Sequence, residues 1–377
     1  MSKQLSESFL QHFEQVEDPR RKAGLRFPLM EVLFMAICAM VSGADDWVAI
    51  ERFCKAKEEW LRKYLRMKHG VPSHDTFGDV FGVLDPEQFV KAFTQWVGEM
   101  VQLEGVIALD GKTVRRSHDK RLGKKAIHMV SAWSAHNRLV LGQVKVAEKS
   151  NEITALPQLL QMLVITGCLV TIDAMGCQVD IAEQIVAQKG DYMLAVKGNQ
   201  KHLHLDIVHL FKHATDENFS QDGFDTHRTV HKNRGRLEIR TCHLTSHPAW
   251  LAYIRKHGNW KALKTVLCIT TERKVGSKRS QIERRYYICS RLLSAADALA
   301  AVRTHWEVEN SLHWVLDVVF DEDANRARSG FAQQNLASMR RIALNLLNQD
   351  SSRRQSLKGK RQLAGWDDTY RETVLFS

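Results

Sequence analysis

The chain is organised around Gly105-Val-Ile-Ala-Leu-Asp110-Gly-Lys-Thr-Val-Arg115. The first half is a short apolar run with the β-branched content of a buried strand, and it ends in an acid, a glycine and a base. A carboxylate at the end of a buried strand is costly unless a metal, a cation or several donors pair with it. The same grammar returns at Cys168-Leu-Val-Thr-Ile-Asp173-Ala-Met-Gly176. One such aspartate is most simply a helix cap or a turn former. Two of them, with a third carboxylate to be found, point to a divalent-metal site built from strand-end aspartates.

Outward from this stretch, strand-like runs occupy 105–110, 127–134, 138–146, 168–173 and 191–196, with Ala135-His-Asn137 as a hairpin turn between the second and third. Helical segments at 152–163 and 178–188 separate the later runs. Three strands, a helix, a strand, a helix and a strand predict an α/β mixed sheet with flanking helices. Over 213–290 the pattern loosens into β-like pieces at 236–244, 263–271 and 284–290, read as a β-rich insertion because helical sequence resumes afterwards.

Upstream, residues 1–100 read as a small helical domain. An apolar helix over 28–42 stops at Gly43, Asp45 or Asp46 caps the next, and Ser73 and Asp85-Pro86 open two more. A helix-turn-helix with 73–84 as recognition helix and a plain helical bundle weigh equally. The segment holds His74, Asp75 and Asp79 but no Arg or Lys, which is poor equipment for phosphates or guanines. The expected organisation is 1–100 helical and a candidate for DNA binding, 101–350 catalytic with its insertion, and 351–377 a basic tail.

The third carboxylate comes from a stretch free of glycine and proline, 302–320, with Val302, Trp306, Leu312, Val315, Leu316 and Val319 as its buried face. A polar stripe of His305, Glu309, His313 and Asp317 runs beside it at four-residue intervals. For an arbitrary helix such a stripe is an exposed, salt-bridged face. Zinc fits less well, since the two histidines are eight residues apart. Aspartate and glutamate oxygens are hard ligands and suit Mg²⁺, with Mn²⁺ as the other candidate. A two-metal site of this kind, with ions about 3.5–4 Å apart, serves in-line displacement at phosphorus.

Composition sets the partner. A formal charge of +11 over 377 residues and a pI near 9.3 favour an acidic partner, most simply nucleic acid. Cys38, Cys54, Cys168, Cys177, Cys242, Cys268 and Cys289 form no C-x-x-C pair and read as reduced core residues of a cytosolic protein. The polar start of the chain is no signal peptide, and the longest apolar run, 29–41, contains Glu31 and is too short to span a bilayer. The expectation is a soluble protein with no membrane partner. No phosphate-cradling G-x-x-x-x-G-K-[ST] loop is present.

At this point the residues match a family. IALDGKTVRRS from Ile107, AIHMVSAW from Ala126, EKSNEITALPQLL from Glu148, TIDAMGCQ from Thr171, GDYMLAVKGNQ from Gly190, HWEVENSLHWVLDVVFDED from His305 and RRIALNLL from Arg340 stand in order. In these the chain resembles the H-repeat-associated (ISAs-type) insertion-sequence transposases, a branch of the DDE transposases with a ribonuclease H-like core. The resemblance implies Asp110, Asp173 and Glu309 as catalytic and metal-binding acids, and a Mg²⁺-dependent enzyme that cuts its element's ends and joins the 3′-hydroxyls to target DNA. It implies double-stranded DNA as partner, a homo-oligomer in a synaptic complex, and a cytoplasmic, nucleoid-associated location. Lys112, Arg115, Lys197, Asn199, His305 and His313 lie in the matching motifs as candidate DNA contacts. The broader superfamily places a tyrosine, an arginine and a lysine around the glutamate, where this chain has Val302, His305 and Leu316. The rival readings are a domesticated or inactive copy that only binds DNA, and a metal-dependent nuclease without strand transfer.

Overall fold

The computed structural model describes residues 9, 11–21, 23, 25–118, 125–147, 150–216, 219, 223–233, 235–275 and 280–376. The polar stretch 1–8, and Glu148 and Lys149 at the start of one motif, lie outside the described residues. Among the described residues there are nine strands: β1 (Val106–Thr113), β2 (His128–Ser134), β3 (Leu139–Lys145), β4 (Leu169–Ile172), β5 (Asp191–Val196), β6 (Phe224–Asn233), β7 (Arg236–Thr245), β8 (Thr265–Val275) and β9 (Gln281–Cys289). They make one mixed sheet in the order β3-β2-β1-β4-β5-β9-β8-β7-β6. This is the expected ribonuclease H-like mixed sheet with flanking helices, and the strands of the insertion continue it. The chain forms two compact units, 103–110 with 151–308, and 1–102 with 111–150 and 309–377.

In the unit built on 103–110 and 151–308, β1, β4 and β5 run parallel, with Val106 against Leu169 and Val170 against Tyr192. Their apolar runs are covered on both faces, as parallel strands require. β5 pairs antiparallel with β9, and β8, β7 and β6 follow antiparallel. One face carries a buried cluster in which Leu169, Met193, Leu267, Ile269 and Tyr287 meet Ala298, Leu299 and Val302 of the Ala295–Val308 helix. β6 is absent from the sequence expectation. It shows no regular apolar alternation, because it lies at one end of the sheet, where few side chains are buried.

In the other unit, the Leu29–Val41 helix is buried on nearly every side and its chain reverses at Gly43, where φ is +100°. Asp46, Ser73 and Asp85 cap the helices Trp47–Ala56, His74–Val83 and Pro86–Met100, as expected. The Ala332–Gln349 helix is buried along most of its length. Its Asn345 both accepts from the N–H and donates to the carbonyl of Val140 on β3, at 2.8 Å each. The expected basic tail takes a different form. Residues Leu357–Trp366 and Asp368–Phe376 are helices whose Lys360, Arg361 and Arg371 point inward. Arg361 donates to the Met40 carbonyl at 2.9 Å and to Asp45 at 2.8 Å, so these charges tie helices together. All seven cysteines are buried and free.

Candidate active site

Leu109 on β1 stands opposite Ile172 on β4 in parallel register, so Asp110 and Asp173 each follow the last paired residue of neighbouring strands, Asp173 just past the end of β4 and Asp110 still within β1. Such strands lie about 4.8 Å apart. β1 continues through Gly111 and Lys112 to Thr113, beyond the point where the apolar run stops. Asp173 is two-fifths exposed, and Lys197, just past β5, brings its Nζ to 3.3 Å from Asp173 Oδ1. The turn after Asp173 is fixed from two sides. Asn199 donates to the Ala174 carbonyl at 2.6 Å and Gln200 to the Cys177 carbonyl at 2.8 Å. Gly176 leaves no space for a side chain: a Cβ there would stand 2.4 Å from Ile172 Cγ2 and 2.8 Å from Leu156 Cδ1.

Behind Asp173, the His305 ring is buried and its Nδ1 lies 3.0 Å from the Thr171 hydroxyl. Burial pushes the His305 pKa down to about 4, against a weaker opposing pull from Asp173. A buried, neutral imidazole has no charge to offer a phosphate, so His305 braces the strand that ends in the second acid. Trp306 stays two-fifths exposed, and the Arg285 guanidinium stacks on it at 4.5 Å.

The helical stretch expected at 302–320 is interrupted. After Val308 comes one π-helical turn, Glu309–His313, and then an α-helical turn, Trp314–Val318. Insertions of this kind recur at functional sites, because the widened turn re-aims its side chains. Glu309 is two-thirds exposed, whereas His313 is buried with Nδ1 3.2 Å from Glu309 Oε2. Burial lowers the His313 pKa, and the glutamate opposes that shift.

Lys112 does not face outward. Its buried ammonium lies 2.5 Å from Asp317, 3.0 Å from Glu322 and 3.5 Å from Asp323, which uses all three donor directions. Burial works against that charge, but Glu322 and Asp317 outweigh it and raise the Lys112 pKa. Glu322 is fully buried and also accepts from Arg341 at 2.9 Å. Burial alone would raise its pKa; Arg341, Lys112 and Arg340 bring it down to about 2. Arg115 is exposed, with its backbone N–H on Asp323 at 3.0 Å. The ion-pair cluster, and Glu322 and Arg341 with it, escaped the sequence reading although both residues lie in quoted motifs. Arg341 is a charge inside a largely apolar helical run and Glu322 the middle of an acidic triplet, and both signals are also those of exposed residues.

The family model described as Transposase DDE domain matches residues 102–346. The chain belongs to that family. A second model, DDE_Tnp_1-associated, matches residues 10–97 ahead of the DDE domain. YncI of Escherichia coli O157:H7, provisionally named a transposase, is 40% identical over 98% of this chain and 95% of its own. YhhI of Escherichia coli strain K12, named on the same provisional footing an H repeat-associated transposase, is 38% identical over 97% of each chain. The cryo-EM structure of the piggyBac transposase synaptic complex with hairpin DNA aligns at a TM-score of 0.45 with 10% identity, covering 98% of this chain and 78% of that one. The family assignment of this DDE domain does not rest on that alignment. No helix among the described residues is long and apolar enough to cross a membrane.

Proposed function

We propose that this DDE-family chain is an insertion-sequence transposase that cuts DNA at its element's ends and joins the freed 3′-hydroxyls to target DNA. The observation that carries the reading is the pair of acids, Asp110 and Asp173, each following the last paired residue of adjacent parallel strands in a domain of this family. Glu309, held outward on its π-helical turn, is the third acid of the proposal.

The donor chemistry fits Mg²⁺, with Mn²⁺ as the other candidate. The three acids are carboxylates, and Asp173 and Glu309 are open to solvent. Divalent ions supply the activation of an attacking oxygen and the stabilisation of a leaving one. The residues of the chain supply position. Asn199, Gln200 and the closed turn at Gly176 hold the backbone that presents Asp173. Lys197 partners Asp173 directly and is placed to exchange that partner for a phosphate. His313 orients the Glu309 carboxylate through its ring nitrogen. The net charge of +11 favours DNA as the substrate, and assembly of more than one copy on paired ends belongs to the same proposal.

The test is incubation of the purified chain with duplexes carrying the element's ends and Mg²⁺, with cleaved and joined products scored separately. Both products are expected. Cleavage without joining would leave a nuclease, and binding without either would leave a DNA-binding protein.

A further inference from the structure

Strands β6 to β9 run past the apolar cluster that seats the Ala295–Val308 helix, and the register sorts what lies on that same face. On β7, Cys242 and Leu244 belong to the cluster, and Arg240 and Glu238 are the next two positions of that face. Arg240 is level with Thr271, Glu238 with Arg273 and Arg236 with Val275 on β8. On β9, Arg285 lies level with Ile269 and Glu283 with Thr271. The helix adds Arg303, whose Nη1 is 3.1 Å from His231 Nε2 on β6. Beyond the cluster, then, five guanidinium groups share one face with two carboxylates.

This is more than a solvated charged face. Glu238, mostly buried, holds three of the arginines at once: Arg240 and Arg273 at 2.8 Å and Arg236 at 3.7 Å. Glu283 also reaches Arg273 at 3.8 Å and Arg285 at 2.8 Å, and two carboxylates cannot balance five cations. Burial first, and then the crowding of Arg303, Arg273 and Arg236 against the help of Glu238, lowers the pKa of Arg240. The guanidinium groups line an open cleft of about 630 Å³ with His231 and Asn233. Their side chains are fixed before any ligand arrives, with positive charge in excess.

We infer that Arg236, Arg240 and Arg273 form a docking track for the phosphodiester backbone of duplex DNA, continued by Arg303 and Arg285 toward Trp306 and Asp173. The inference rests on the DNA reading proposed above and adds where the insertion grips its substrate. From Ile269 to Val275 on β8 the face spans six residue steps, or about 20 Å at roughly 3.4 Å each. One DNA strand presents a phosphate about every 3.4 Å of helix axis, so the track matches roughly six nucleotides. The partner must be polyanionic and regularly spaced, and the contact must be blind to base sequence.

The test is fluorescence anisotropy of the full chain on a labelled duplex at several salt concentrations, with the triple variant Arg236→Gln, Arg240→Gln, Arg273→Gln. The variant should bind more weakly, and the slope of log affinity against log salt should fall by about 2.7, roughly 0.9 for each lost phosphate contact. Between 50 and 200 mM salt that difference amounts to about a fortyfold smaller loss of affinity for the variant. An unrelated duplex of equal length should show the same change. Should the triple variant melt early, Arg236→Gln and Arg273→Gln singly, both at partly exposed positions, should each lower the slope by about 0.9. Unchanged affinity and slope in folded variants would overturn the inference. Cleavage is not the readout, so a chain that binds through this track but never cuts would sink the proposed reaction and leave the track standing.

Discussion

His305 Nδ1 lies 3.0 Å from the hydroxyl of Thr171, two residues ahead of Asp173 on the strand that presents it. The contact joins a helix to the sheet directly behind the second acid. It also makes the fold sensitive to acid at one identifiable place.

The ordinary histidine pKa is 6.5 and that of His305 in the folded chain is about 4. Between those values the unfolded chain binds a proton on this ring that the folded chain refuses. The stability it confers is therefore complete above pH 6.5 and is lost as pH falls toward 4, a loss on the order of 3 kcal/mol. Urea unfolding from pH 7 to 4 should show that slope, and His305→Gln should flatten it. An equal slope in the variant would assign the acid sensitivity to other groups.

Removal of divalent ions should stop cleavage, and Mg²⁺ or Mn²⁺ should restore it. Asp110→Asn and Asp173→Asn keep shape and remove a charged ligand, so DNA binding should persist while cleavage falls by at least a hundredfold, about 2.7 kcal/mol or more at the barrier. Gel assays of binding and of nicked product, run side by side, decide this. Normal cleavage by either variant would take that aspartate out of the site.

Glu309 and Asp317 lie on one polar stripe in the sequence but have different partners in the structure, His313 for one and Lys112 for the other. Glu309→Gln should abolish cleavage with little change in melting temperature, since the side chain is two-thirds exposed. Asp317→Asn should leave much of the cleavage and lower the melting temperature by weakening the Lys112 cluster. The opposite pattern would move the third acid by two turns.

Glu322 is fully buried between Lys112 and Arg341. Glu322→Gln leaves both cations short of a counter-charge, at a cost of about 3–5 kcal/mol. Chemical denaturation should register it. In a double-mutant cycle, Lys112→Met combined with Glu322→Gln should destabilise less than the sum of the two changes.

The sheet was legible in the sequence because β1, β4 and β5 are buried on both faces and their apolar runs are unbroken, so that 191–196 agrees with β5 residue for residue. The helix caps at Asp46, Ser73 and Asp85 were legible because a side chain that accepts from the first turn has a small vocabulary. β6 was not, since an end strand with solvent on most of its side chains lacks the alternation that marks burial. Nor were the inward arginines of 351–377, because sequence records charge but not whether a carbonyl or carboxylate waits inside. Asp173 could be read from the end of β4, whereas β1 runs on past Asp110 to Thr113 although its apolar run stops at Leu109. The burial of Lys112, His305 and His313 could not be read, since each depends on residues distant in sequence. The apolar runs that stop before Asp110 and Asp173 need only local sequence; the sorting of the charged neighbours into exposed and buried needs the fold.

The closed turn at Gly176 bears on how copies of such a gene fall silent. A point mutation to alanine adds one methyl group where two side chains already stand, and it leaves every acidic codon intact. Such a copy would pass inspection for its acids while presenting Asp173 from a displaced backbone. Gly176→Ala should therefore bind end-containing duplex and cut it poorly, and full cleavage by that variant would refute the point.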